Sequence, residues 1–175
     1  MEYKASLDSN AILTTIGTGV VLLLVAYICI RLVFKAHNES KGRFAGILFF
    51  YGFIFVAVVL ITVKSYLSMP ESYILKDNEL SIHRPFSDIH IPLNDIEKVW
   101  LVDSAENVAI KRVSGDNGFL GYFGRYAYPK AGEMHAYATR KNNWIIMVTK
   151  NNGTIAISPD DIGLYDGLMK KIIRK

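Results

Sequence analysis

The chain has 175 residues, of which 51% are hydrophobic, and it carries a net charge of +4 and one cysteine. The charge is uneven, since residues 1–65 hold six Lys or Arg against three Asp or Glu, while residues 66–175 hold fourteen against thirteen. The near-neutral C-terminal part lacks the basic footprint of a nucleic-acid-binding domain, and a lone cysteine excludes an internal disulfide and a Cys-based zinc site.

Two long apolar segments come first along the chain. Ala11–Ile30 and Phe44–Val63 are each twenty residues without a charged side chain. A helix of that length reaches about 30 Å, the thickness of the hydrocarbon core of a bilayer. A buried helix of a soluble protein rarely stays apolar on every face for so long. The sequence therefore predicts a transmembrane hairpin, with an N-terminal tail at 1–10, helices at 11–34 and 44–64, and a connector at 35–43.

A cleaved signal peptide is the alternative for the first segment. The acidic residues Glu2 and Asp8 precede the apolar run, and Arg31 follows it in place of a small-residue cleavage site, so a retained span is favoured. The basic residues of the connector side outnumber those of the other side by one: Arg31, Lys35, Lys41 and Arg43 against Lys4, Lys64 and Lys76. The positive-inside rule then favours a cytoplasmic connector and an external C-terminal domain, but a margin of one charge leaves the side of that domain open.

The chain beyond a linker at 65–71 changes to short β-like runs separated by turn formers. The runs are Tyr73–Lys76, Leu80–His83, His90–Leu93, Ile96–Val102, Gly124–Tyr128, Met134–Thr139, Trp144–Thr149 and Thr154–Ile157. Asn151, Asn152 and Gly153 precede the last run and form a strong tight-turn signal, because Asn and Gly tolerate positive φ.

The chain ends in a predicted amphipathic helix. Ser158 is a suitable N-cap, Pro159 suits the first helical position, and Asp160 and Asp161 favour the positive end of the helix dipole. The apolar residues that repeat at helical spacing are Leu164, Tyr165, Leu168, Met169, Ile172 and Ile173. The predicted fold is thus an N-terminal α transmembrane hairpin and a mainly β C-terminal domain of about seven strands, in two sheets or a small barrel, capped by this helix.

Three segments of the soluble part resemble the bacterial pleckstrin-homology-like (PH-like) domain family. They are IPLNDIEKVW at Ile91–Trp100, GFLGYFGRY at Gly118–Tyr126, and HAYATRKNNWIIMVTKNNGTIAISPDD at His135–Asp161. The resemblance covers about residues 72–174 of a domain expected at 72–175. It implies a two-sheet barrel of seven strands capped by the C-terminal helix, commonly tethered to paired membrane helices, in a multi-pass protein of the bacterial cytoplasmic membrane. It implies no catalytic activity.

Glycines at 118, 121 and 124 recur every three residues. This spacing is neither the dinucleotide-binding GxGxxG pattern nor a phosphate loop with GK[ST]. One interpretation is a turn or bulge that lets Phe119, Tyr122 and Phe123 pack closely. The other is an exposed loop that presents these aromatic rings to a partner or to lipid headgroups.

Basic residues in the same region could form an anion-binding patch or an ordinary solvated face. Together with the aromatic residues they give the predicted partner-binding set: Phe119, Tyr122, Phe123, Arg125, Arg140 and Lys141, with Arg112 nearby. Phosphoinositide-binding relatives carry basic residues on the first strands. The first β-hairpin of this chain has Asp77 and Glu79 instead, which argues against that ligand.

Metal binding and catalysis find little support in the sequence. If the turn around Phe86 is a four-residue loop, His83 and His90 lie opposite each other, and His135 could join them at a metal. Isolated strand histidines are more often polar surface. The adjacent carboxylates at 160 and 161 suit helix capping better than acid–base work. No Ser/His/Asp or Cys/His order is present, so we expect no enzyme activity, no cofactor and no metal.

These observations predict a membrane-anchored binding or scaffolding module that engages a protein partner or a second copy of itself. The alternative is a structural or accessory subunit of a membrane complex that acts mainly through its transmembrane hairpin.

Overall fold

The computed structural model describes residues 1–36, 41–105 and 110–173. Two long helices come near the start, α1 at Ser9–Ala36 and α2 at Lys41–Ser68. Part of the predicted connector, residues 37–40, and the last two residues of the predicted domain lie outside the described residues.

Both helices are long and apolar enough to cross a membrane, over Ser9–Lys35 and Phe44–Ser68. Most of their large apolar side chains are not covered by the rest of the protein. Leu23, Phe34 and Phe49, for example, are 73 to 79% exposed. Exposure on this scale is unlike the core helix of a soluble protein, so the pair suggests association with a membrane.

Ten strands form two sheets in the described residues. The four-stranded sheet has the order β1-β2-β3-β4, with β1 at Glu2–Lys4, β2 at Ser72–Leu75, β3 at Glu79–His83 and β4 at Ile89–Pro92. The six-stranded sheet has the order β5-β9-β10-β8-β7-β6, with β5 at Ile96–Ser104, β6 at Lys111–Gly115, β7 at Tyr122–Tyr128, β8 at Gly132–Ala138, β9 at Asn142–Thr149 and β10 at Gly153–Ser158. The last helix, α3, spans Gly163–Ile173.

The predicted fold class is confirmed: two apolar helices, then strands in two sheets, then a C-terminal helix. Of the two predicted arrangements, the structure has two open sheets and no closed barrel. All eight predicted runs are strands, namely β2 to β5 and β7 to β10. The strands β1 and β6 were not predicted.

The first strand comes from the segment before α1. Glu2, Tyr3 and Lys4 pair antiparallel with Ile74, Tyr73 and Ser72 of β2. The two helices are therefore inserted between the first two strands of one sheet. Both ends of the helical hairpin are fixed to the β domain.

The main core lies between the two sheets under α3. Leu80 and Ile82 of the four-stranded sheet and Ile145 of the six-stranded sheet share it with Leu164 of α3, and all four are fully buried. The Tyr73 hydroxyl donates to the carbonyl oxygen of Tyr137 at 2.8 Å and accepts from the Ser158 N–H at 3.3 Å. Burial raises the pKa of this phenol. Tyr73 thus joins the two sheets by hydrogen bonds as well as by packing.

A second apolar cluster lies on the side of the six-stranded sheet that meets α1. Trp144, Tyr126 and Ala138 belong to it, together with Ala11 of α1, which is fully buried. The Tyr126 and Trp144 rings pack edge to face with centroids 5.6 Å apart. The start of α1 is therefore part of the domain's core.

Candidate functional site

A set of short polar contacts connects the helical hairpin to the six-stranded sheet. Asp8 precedes α1 and has the short carboxylate favoured at a helix N-cap. Its Oδ1 accepts the Ala11 N–H at 2.7 Å, and its Oδ2 accepts the Lys141 N–H at 2.9 Å. The Asp8 N–H in turn donates to the Thr139 carbonyl oxygen at 3.2 Å. One side chain thus caps the helix and fixes it to the turn between β8 and β9.

Arg140 of the same turn holds the segment before α1. Its Nη2 donates to Asp160 Oδ1 at 2.6 Å and to the Ser6 carbonyl oxygen at 3.2 Å, and the Ser6 N–H donates to the same carboxylate oxygen at 2.8 Å. The Arg140 side chain is only 17% exposed. Its guanidinium group is therefore paired with a carboxylate of the protein itself.

The glycine-rich segment forms a loop at residues 116–121, here called the glycine loop, which contacts α1. The Leu120 N–H donates to Thr15 Oγ1 at 2.9 Å. A Cβ on Gly118 would lie 3.1 Å from Thr14 Oγ1, and the φ of 107° at this position is one that residues with a side chain rarely adopt, so both the close approach and the backbone favour glycine. Leu120 itself has a positive φ of 56°. The loop therefore lies against the second turn of α1.

The other end of the helical hairpin contacts the same loop. The buried hydroxyl of Ser65 in α2 donates to Asp116 Oδ2 at 2.8 Å. The Tyr126 hydroxyl donates to the Asp116 carbonyl oxygen at 2.6 Å, and burial raises the pKa of this phenol. The glycine loop thus contacts both helices through side-chain hydrogen bonds.

A cleft of about 510 Å³ opens beside this contact, between α2 and the strands β6, β7 and β8. Lys64 and Ser68 line it from α2, and Ser114, Arg125 and His135 line it from the sheet. We call it the α2–sheet cleft. It combines cationic and hydroxyl groups at the end of an apolar helix.

The predicted partner-binding residues differ in how far the structure buries them. Tyr122 and Phe123 are 2% and 3% exposed, as the packing interpretation expects. Phe119 in the glycine loop and Lys141 are half-buried. Arg125 is 54% exposed, and its Nε donates to Ser114 Oγ at 3.2 Å. Most of the set is therefore gathered at the contact with the helices, and Arg125 is the member that faces solvent.

The three histidines lie apart. The expectation that His83 faces His90 is wrong, because the register pairs His90 with Ser81. Instead, His83 Nδ1 donates to Asp88 Oδ1 at 2.8 Å, which holds the pKa of that carboxyl below its usual value. His135 lies on the other sheet. Within residues 1–36, 41–105 and 110–173, no group of three His, Cys, Asp or Glu is placed to hold a metal ion.

The adjacent carboxylates at the start of α3 have structural partners. Asp161 Oδ1 accepts the Gly163 N–H at 2.8 Å, a helix-capping contact, while Asp160 pairs with Arg140. Only Asp161 therefore has the predicted capping role. The prediction of an N-cap at Ser158 with Pro159 as the first helical residue is wrong, because Ser158 ends β10, where its hydroxyl accepts the Thr139 N–H at 2.9 Å, and α3 begins at Gly163.

A family model described as bacterial PH domain matches residues 71–172, more than half of the chain. The matched region begins just before β2 and ends in α3, so it leaves out β1 and both long helices. Comparisons with curated proteins and with solved structures gave no match.

Proposed function

Because the chain belongs to the bacterial PH domain family, whose domains are generally non-catalytic binding modules, we propose that it is a membrane-anchored binding module. It engages a protein partner, or a second copy of itself, at the surface of the bacterial cytoplasmic membrane. The observation that carries this proposal is the edge strand β6, all five residues of which are exposed.

The domain is held rigidly at the end of its anchor. The pairing of β1 with β2, the Asp8 cap, the Thr15 contact and the Ser65 contact all connect the helices to the β domain. Anchoring raises the effective concentration of the domain near other membrane components. Because these contacts fix the domain relative to the helices, they also determine which edge of the domain points along the plane of the bilayer.

The strand β6 ends the six-stranded sheet, and no strand of the described residues pairs with its outer edge. An extended segment of another chain can add to such an edge through main-chain hydrogen bonds. Val113, in the middle of the strand, is 48% exposed and offers an apolar contact. Lys111 and Arg112 beside it oppose pairing with basic segments and favour an acidic one.

The alternative function, an accessory subunit acting through its helices, is supported by a different observation. Gly46 and Gly52 of α2 have no neighbouring atom near the position of a Cβ, so another helix can approach closely there. Removing residues 70–175 separates the two proposals. Full activity of the remaining helices favours the accessory role, and loss of partner binding favours the binding module.

The experiment that tests the main proposal is photo-crosslinking in intact membranes. A benzophenone amino acid replaces Val113 in one sample and Asn152, an exposed turn residue, in the control. We expect a crosslinked product at position 113 that is absent at 152, and weakened by Lys111→Glu with Arg112→Glu. A product of twice the chain's mass identifies self-association. Equal yields at both positions contradict binding at the β6 edge.

A further inference from the structure

The α2–sheet cleft lies where an apolar span gives way to polar residues. The charge-free run of α2 ends at Val63, and the next turns supply Lys64, Ser65 and Ser68 to the cleft, with Ile61 at its apolar end. When α2 spans a bilayer, this position coincides with the headgroup region.

The charges of the cleft suit an anion. Lys64 has no ion pair among the described residues and is exposed. Arg125 lies 3.9 Å from the exposed Glu133, a distance too long for a strong contact, and Ser114 orients its guanidinium. The carboxylate that lines the cleft, Asp116, already accepts the Ser65 hydroxyl. Two basic side chains therefore line a space that also contains hydroxyl donors.

The floor of the cleft is formed by backbone. Gly115 and Gly124 are cross-strand neighbours with φ values of 114° and 111°. A Cβ on Gly124 would lie 2.5 Å from the Ser114 carbonyl oxygen, so neither strand can place a side chain there. The two glycines thus bring the backbones of β6 and β7 close together at the base of the cleft, whose volume of about 510 Å³ is within the range of small-molecule sites.

An apolar track leads away from the cleft into the membrane. Ile54, Ala57 and Ile61 are spaced by three and four residues and so share one face of α2. Ile61, which lines the apolar end of the cleft, is 61% exposed. A ligand that fills both parts must be anionic at one end and hydrocarbon at the other.

We propose that the α2–sheet cleft binds the phosphate of an anionic phospholipid from the leaflet that faces the domain, with an acyl chain along Ile54, Ala57 and Ile61. Lys64 and Arg125 contact the phosphate oxygens, and Ser68 and Ser114 border the headgroup. The site takes Ser114 and Gly115 from β6 but not Lys111, Arg112 or Val113, so its test changes none of the residues used to test a protein partner at that strand.

The test uses the full chain in nanodiscs that contain equal amounts of phosphatidylglycerol and phosphatidylethanolamine, followed by native mass spectrometry of the retained lipid. We expect the protein to retain phosphatidylglycerol selectively. The double variant Lys64→Gln with Arg125→Gln should retain about tenfold less, because charge-assisted hydrogen bonds are lost. The matched control, Lys98→Gln with Lys150→Gln, changes the net charge equally at exposed sites on the far edge of the sheet and should behave as the unmodified chain.

Equal lipid retention by the two double variants, or equal retention of the two lipids by the unmodified chain, overturns the proposal. Displacement of the lipid by millimolar inorganic phosphate also overturns it, since the site would then recognise a free anion. Lys64→Arg keeps the charge and should keep selectivity, while Lys64→Gln alone should lower it. These single changes at an exposed helix position keep the test valid if the double variant does not fold.

Discussion

The Leu120 N–H donates a hydrogen bond of 2.9 Å to the hydroxyl oxygen of Thr15, which connects the glycine loop to α1. The Thr15 hydroxyl itself donates to the Ala11 carbonyl oxygen within the helix at 2.7 Å. Thr15→Val removes both bonds and leaves the Leu120 N–H without this acceptor. We expect the free energy of opening the glycine loop to fall by about 1 kcal/mol. This corresponds to roughly fivefold faster amide exchange at Leu120.

Thr62→Val is the matched control for this change. The Thr62 hydroxyl donates to the Val58 carbonyl oxygen at 2.9 Å within α2, and among the described residues it forms no hydrogen bond with the loop. Hydrogen exchange of residues 116–121, followed by mass spectrometry, should therefore change only in the Thr15 variant. Equal exchange in both variants would show that the Thr15 contact does not hold the loop.

Asp8→Ala should destabilise the contact between α1 and the six-stranded sheet. The change removes the N-cap and the hydrogen bond from the Lys141 N–H, and we expect a loss of about 2 kcal/mol. Trp144, which shares a cluster with Ala11, provides a fluorescence signal for thermal unfolding. Asp161→Ala removes only the capping contact with Gly163 and should cost about 1 kcal/mol or less. A larger effect of the Asp161 change would refute this ranking.

Gly121→Ala should be far more damaging than Gly132→Ala, although both glycines have positive φ, 131° and 72°. A Cβ on Gly121 would clash with the Phe123 ring and lie 2.8 Å from the Ala138 carbonyl oxygen, while Gly132 borders open space. We expect about 2 to 5 kcal/mol for Gly121→Ala and about 1 kcal/mol for Gly132→Ala. Unfolding midpoints in denaturant measure both, and similar midpoints would exclude the steric explanation.

The hydrogen bond from His83 makes the stability of the β3–β4 hairpin depend on pH in the acidic range. This bond, the largest cause, lowers the pKa of Asp88 from its ordinary 3.8. A lowered carboxyl pKa stabilises the fold above the unfolded pKa, and that contribution is lost as the pH falls through the folded value, below 3.8. His83→Gln should raise the pKa of Asp88 toward 3.8, as measured by NMR titration of its side chain. His135→Gln, on the other sheet, should leave it unchanged, and an unchanged value in both would exclude His83 as the cause.

The side of the membrane on which the domain lies is testable with one new thiol. Asn152 is exposed at the turn between β9 and β10, and the natural Cys29 is buried in α1. After Asn152→Cys, an impermeant maleimide should label intact cells, because the basic residues favour a cytoplasmic connector. Labelling only after permeabilisation would place the domain in the cytoplasm and reverse the charge-based prediction. Cells with the unmodified chain give the background from Cys29.

The elements that the sequence predicted correctly have signals in adjacent residues. The β9–β10 turn follows from Asn151, Asn152 and Gly153, and α3 follows from its apolar repeat, although it begins later than the predicted cap at Ser158. The strands that the sequence did not predict lack such signals. β1 has three residues and is a strand only because β2, far along the chain, pairs with it. β6 is exposed throughout, so it shows no alternation of buried and exposed positions.

The sequence indicated the residue types of the candidate segment but not which of its side chains are buried. The glycine spacing and the aromatic residues indicated the segment that the structure places against the two helices. Tyr122 faces inward with Tyr126 and Tyr128 of β7, but the contact of the glycine loop with α1 depends on one hydroxyl and one backbone N–H more than a hundred residues apart. Hydrophobic periodicity along the sequence does not predict a hydrogen bond between two residues so far apart. The same holds for the register of β3 and β4, which a shift of two residues changes without altering the hydrophobic pattern.

The position of β1 before the helices links the order of synthesis to the order of folding. The segment 2–4 is synthesised before the helices, and its partner in β2 follows only after both helices have been made. If only one helix crosses the bilayer, the two strands emerge on opposite sides and cannot meet. If the two helices anchor the protein as proposed, the four-stranded sheet is completed only when both have been inserted or neither has, so a complete sheet excludes an anchor with a single inserted helix.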